Sequence, residues 1–178
     1  MQALFHMDMQ TDEAASQGSA KVASADKFDL YCRNFPPSKK AHPFFAKIVE
    51  GVQLTQDEVD SVVERYSNNW KITRMSCVDR NVLRVAVFEL LYCDDIPAKV
   101  AINEAIDVGK KYGTDESGAF INGILDSIRI AMEKGEVSGS AELCRAVGEI
   151  NVAGAEDAAS EETASEKTSS EDASDDED

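Results

Sequence analysis

An all-α fold of about six or seven helices is what the sequence predicts, and three observations predict it. Apolar residues recur at helical spacing through most of residues 43–132. Helix-capping and helix-breaking residues fall between those runs, at Thr55, Asn68-Asn69, Ser76, Asp94-Asp95-Ile96-Pro97 and Gly113. No alternating β-branched run bounded by turn residues occurs, so no strand is predicted. Hydrophobic residues are 43% of the 178, enough for the core of one domain.

The elements follow in order. Residues 1–10 (MQALFHMDMQ) place Met1, Leu4 and Phe5 on one face. So short a run is not stable alone and reads as the end of a longer helix. Residues 11–27, rich in Ala, Ser and charge, read as a loop or linker inside a variable stretch, 11–42. Residues 28–35 suit a helical turn that Pro36-Pro37 stops. From Pro43, at a first helical position, Phe44, Phe45, Ile48, Val49 and Val52 mark a helix. Thr55-x-x-Glu58 is a capping box opening the next, through about Tyr66. Ser76-x-x-Asp79 is a second box, opening the most apolar helix of the chain. Pro97 restarts the chain, and Ala98, Ala101, Ile102, Ala105 and Ile106 line one face up to a Gly113 cap. Thr114 and Asp115 are candidate N-caps for the last helix, whose stripe is Phe120, Ile121, Ile124, Leu125, Ile128 and Met132 before Gly135.

Charge divides the chain. The formal net charge is −16, but residues 156–178 hold 11 acidic side chains and one lysine. Residues 1–135 therefore read as one nearly balanced helical domain, 136–155 as an ambiguous, weakly helical stretch, and 156–178 as a disordered acidic tail. A wholly basic nucleic-acid binder is excluded; a local basic face is not. No run of 18 apolar residues suggests a membrane span, and no secretory signal is visible. Cys32, Cys77, Cys93 and Cys144 form no C-x-x-C pair, and His6 and His42 lie far from any cysteine cluster. Neither a zinc site nor a disulfide framework is expected, and reduced thiols fit a cytoplasmic location.

Enzyme signatures are missing: no dinucleotide-binding glycine motif, phosphate loop, nucleophile elbow or zinc-protease helix. No catalytic residue, metal or cofactor is expected, and binding is the better hypothesis. The helix from Cys77 to Tyr92 is apolar almost all round, so it is expected to be central. Asp79, Arg80, Arg84 and Glu89 interrupt it. Glu89 lies beside Val78, Val82 and Val85 and calls for an ion-pair partner. Arg80 and Arg84 share a face four residues apart, which suits a solvated or paired stripe, or phosphate contact.

Val78-Asp79-Arg80-Asn81-Val82-Leu83-Arg84, then Lys99-Val100-Ala101-Ile102-Asn103-Glu104-Ala105, then Phe120-Ile121-Asn122-Gly123-Ile124-Leu125-Asp126, in this order and spacing, resemble the NusB family of transcription antitermination factors. The match is strong over about 70–132 and looser over 43–69, and Met1–Phe5 resembles the end of the family's first helix. The resemblance implies an all-helical fold of two small subdomains. It also implies binding of single-stranded boxA RNA of ribosomal transcripts together with NusE, a small-subunit ribosomal protein, within an antitermination complex with RNA polymerase. Single-stranded RNA demands cations for phosphates and flat side chains for splayed bases. Phe5 and Phe120 match the family's two aromatics, with Arg80 and Arg84 as candidate RNA contacts. Asp79 matches an acidic family position near the RNA and NusE contacts, so Asp79, Arg80 and Arg84 are the candidate NusE face. Met1 stands where the family has Leu or Val after an arginine-rich half-helix, and a start codon placed too late is the expected reason. The alternative is a NusE-binding module with little RNA affinity of its own. A third reading, the NusB-like domain of an RNA cytosine methyltransferase, would need a following cofactor domain where an acidic run stands.

Overall fold

The computed structural model describes residues 1–17, 24–68 and 70–139. Seven α-helices and one 3-10 turn are present among them, and no strand: α1 (Gln2–Gln17), α2 (Ser24–Asn34), α3 (His42–Leu54), α4 (Gln56–Tyr66), the 3-10 turn (Ile72–Arg74), α5 (Cys77–Tyr92), α6 (Ala98–Tyr112) and α7 (Ser117–Glu133). The all-α expectation holds. The expected loop over 11–27 is shorter than the sequence suggests, because α1 runs on to Gln17 and α2 begins at Ser24. Helix propensity explains the difference: Glu13, Ala14, Ala15 and Gln17 favour helix without supplying the apolar period by which helices are recognised. The weakly helical stretch and acidic tail lie outside the described residues, except 136–139, which carry no helix.

α5 is the axis of the molecule and packs against α1, α3, α4, α6 and α7. Leu83, Ala86, Val87, Phe88 and Leu91 are buried around it, as its all-round apolar wheel requires. α6 and α7 pack on each other and on α5, α4 packs on both α5 and α7, and α1 and α3 complete the cover of α5. Gly51 makes the α3 crossing possible. A Cβ there would run into the Phe88 ring, which is fully buried.

The caps differ in detail from expectation. Ser76 does cap α5, its hydroxyl accepting from the Asp79 amide at 3.0 Å. Thr55 does not cap α4 with its side chain; its hydroxyl donates back to the Gly51 carbonyl at 2.8 Å. Pro97 stands just before α6 rather than inside it. Before α7 the residue at the cap is Glu116, and the Ser117 hydroxyl accepts from the Thr114 amide at 2.8 Å.

Candidate nucleic-acid and partner interface

Three features bear on binding. The first is a polar clamp. Asp8 of α1 lies against the first two turns of α5. Its Oδ2 accepts from Arg80 Nε at 2.9 Å and Nη2 at 2.5 Å, and from Asn81 Nδ2 at 3.0 Å. Arg84 Nη1 reaches Asp8 Oδ1 at 3.3 Å. The other side of Arg84 is held bidentately by Asp60 of α4, both bonds at 2.7 Å. An unpaired guanidinium this buried would cost several kcal/mol; two carboxylates and the fork geometry offset that. Burial alone would raise the Asp8 carboxyl, yet the Arg80 hydrogen bonds and both arginine charges hold it below the ordinary carboxylate range. Burial would likewise lower Arg84, and the Asp60 pair outweighs it and raises it. The stripe of Arg80 and Arg84 is thus a paired one, binding α1 and α4 to α5. Phe5 stands half-buried one turn before Asp8, so the clamp fixes its position.

Asp79 begins the same helix. It is 8% exposed, and its Oδ1 has no hydrogen-bond partner among the described residues.

The second feature is aromatic. Phe120, at the start of α7, is half-buried and meets Trp70 edge-to-face, with ring centroids 5.7 Å apart and planes at 68°. Trp70 is 52% exposed. The turn carrying it is built by Asn68, whose φ of 49° is left-handed, and by Ser67. The Ser67 hydroxyl donates to the Trp70 carbonyl at 2.8 Å, and the Trp70 amide donates to the Ser67 carbonyl at 3.2 Å. Glu64 then accepts from the Ile72 amide at 2.9 Å and from Lys71 Nζ at 3.0 Å. The amide bond of Ile72 leads in holding the Glu64 carboxyl below its ordinary range. Cations flank the pair: the Lys110 stem packs on Gly118, two residues before Phe120, and Lys71 and Arg74 are exposed beside Trp70. Sequence reasoning named Phe120 but missed Trp70 and Asp8. The signal for Trp70 was available, since the chain's single tryptophan follows a turn pair and precedes two basic residues.

The third feature is an apolar groove of about 410 Å³ between α5 and α6, lined by Val82, Val85, Glu89, Val100 and Glu104 and edged by Phe44 of α3. The ion-pair partner expected for Glu89 is not there: no side-chain cation lies within salt-bridge distance of it among the described residues. Burial first, then the nearby Glu104 and Asp95, push its carboxyl up to about 7, against the pull of the Met1 amino group. No group of three or more His, Cys, Asp or Glu suited to a metal occurs among the described residues, and no helix there is long and apolar enough to cross a membrane.

A family model described as the NusB family matches residues 1–129. The transcription antitermination protein NusB of Desulfatibacillum aliphaticivorans is 48% identical over 136 residues, 76% of this chain and 88% of the relative. That of Myxococcus xanthus is 43% identical over 134 residues, 75% and 91% of the two chains. Among solved structures, T. maritima NusB superposes with a TM-score of 0.62 at 35% identity, covering 76% of this chain and 91% of that one. A crystal structure of the antitermination factors NusB and NusE in complex with double-stranded RNA gives a TM-score of 0.59 at 25% identity, covering 72% and 89%.

Proposed function

The chain belongs to the NusB family, and on that premise we propose that it is a cytoplasmic, non-enzymatic antitermination factor that binds boxA-like single-stranded RNA together with NusE and helps RNA polymerase read through terminators. The observation that carries the RNA part is the position of Phe120, a half-buried ring at the head of α7, with the Lys110 stem packed on Gly118 two residues before it. A flat apolar surface next to cations suits a base and its phosphate. Phe5 is the second aromatic contact, held in place by Asp8 on α1. Arg80 and Arg84 serve this site chiefly by positioning α1, since their charges are already engaged by Asp8 and Asp60. Asp79 is the NusE contact in this reading: its buried Oδ1 has no hydrogen-bond partner among the described residues, and a small shift of the side chains around it would bring a NusE donor within reach.

Fluorescence anisotropy of a labelled boxA-like RNA, titrated with this protein alone and with NusE, tests the proposal. Binding is expected to tighten when NusE is present and to weaken as salt rises. The Asp79→Lys variant is expected to lose the gain that NusE brings when affinity is counted per folded molecule, since a lysine at this 8% exposed position in the first turn of α5 also lowers the thermal midpoint. No RNA binding by the pair, at low salt and micromolar protein, would remove the reading.

A further inference from the structure

We propose that Trp70 is a base-stacking residue, and that with Phe120 it forms a platform accepting one unpaired RNA base, selecting single-stranded over duplex RNA. This rests on the RNA-binding reading above and adds to it the residue that sets the strandedness preference.

The argument begins with exposure. Tryptophan is ordinarily a highly buried residue, and Trp70 is 52% exposed. Phe120 approaches it at 68°, so the pair does not sandwich and an indole surface stays open to solvent. The open surface is also preorganised. The Ser67–Trp70 turn is closed by two hydrogen bonds, and Glu64 ties down Lys71 and Ile72 immediately after it. These bonds fix the backbone that carries the indole, and the Phe120 edge is the contact on the ring itself, so part of the ordering cost of stacking is already met. Basic residues lie near the platform in the chain and fold, Lys71 among them paired with Glu64 at 3.0 Å on an exposed surface. Lys71 follows Trp70 directly, Arg74 lies a 3-10 turn beyond, and Lys110 abuts the start of α7.

The preference follows from geometry. Inside a duplex both faces of every base are already stacked, so only an unpaired or terminal base can offer a face to the indole. Phosphate contacts, by contrast, are made with either form of RNA. The platform therefore adds affinity for single strands and none for the interior of duplexes.

Because Trp70 is the only tryptophan in the chain, its fluorescence reports on this position alone. In the protein–NusE complex, corrected for any tryptophan of NusE by a Trp70→Phe control, a boxA-like single strand is expected to quench the signal. The same RNA annealed to its complement, with closed hairpin ends, should leave it unchanged. Trp70→Ala should weaken single-strand binding by about ten-fold or more, Trp70→Phe by less, and duplex binding should move little with either. Circular dichroism melts establish that the variants fold; if Trp70→Ala does not, the wild-type quenching and Trp70→Phe still decide. Single-strand binding with unquenched fluorescence and unchanged affinity in Trp70→Phe would overturn the stacking role while leaving RNA binding intact. Equal quenching by duplex and single strand would overturn the strandedness preference. No RNA binding by the wild-type complex would remove both this inference and the reading beneath it.

Discussion

Arg84 and Glu89 stand five residues apart on α5, both largely withdrawn from water, and the molecule treats their charges in opposite ways. On the α1–α4 side Arg84 meets two carboxylates and stays charged. On the α6 side Glu89 faces an apolar groove with Glu104 and Asp95 for neighbours, and its carboxyl is pushed up to about 7. Pairing solves the first burial, and a carboxyl pushed up to about 7, which a proton neutralises as pH falls below that, answers the second. The clamp side is therefore a structural joint, whereas the groove side is a surface whose charge depends on pH within the physiological range.

Breaking the clamp gives the largest expected effect. Asp8→Ala leaves Arg80 without its carboxylate and Arg84 with one instead of two. A loss of about 3–5 kcal/mol in denaturant-derived stability is expected, as for other buried pairs deprived of one partner. The same joint sets an acid limit. The Asp8 carboxyl is held below 3.8, so its stabilising contribution is present above that value and fades as pH falls through the lower folded value. Wild-type stability should fall on acidification in that range, and the Asp8→Ala profile should be flatter there.

Neutralising Glu89 sharpens the contrast with a smaller effect of opposite sign. Its folded carboxyl binds a proton more tightly than the unfolded value of 4.5 allows. Folding is therefore favoured by protonation, and stability declines as pH rises from about 4.5 to about 7. Glu89→Gln should remove that decline. Partial exposure screens the effect, so a gain of about 1 kcal/mol at pH 8 and almost none at pH 4.5 is expected from thermal or denaturant melts. Equal wild-type and Glu89→Gln profiles across this range would show that Glu89 is paired in solution.

What the sequence revealed follows the same division. Helices α5, α6 and α7 were legible because their apolar residues recur densely and their caps are local. The last turns of α1 were not, since alanine and polar residues carry propensity without a period. Phe120 was legible through the string it opens. Asp8 was not, because the pair it makes with Arg80 spans 72 positions and no local pattern announces such a partner. Glu89 was correctly marked as a buried acid, but an acid on an apolar face can be neutralised by a cation or by a proton, and only the packing of α6 distinguishes the two. Trp70 carries a local signal as the single tryptophan beside basic residues, but its pairing with Phe120 of α7 is long-range and no local pattern announces it.

RNA binding through the head of α7 is the central claim, and the most direct measurement is the affinity of the NusE complex for boxA-like single-stranded RNA with wild-type protein and with Phe120→Ala, per folded molecule and at fixed salt. The ring's stacking predicts a loss of about 1–3 kcal/mol in binding free energy with the folded fraction accounted for. An unchanged affinity per folded molecule, accompanied only by a lower melting temperature, would return Phe120 to the core and contradict the claim.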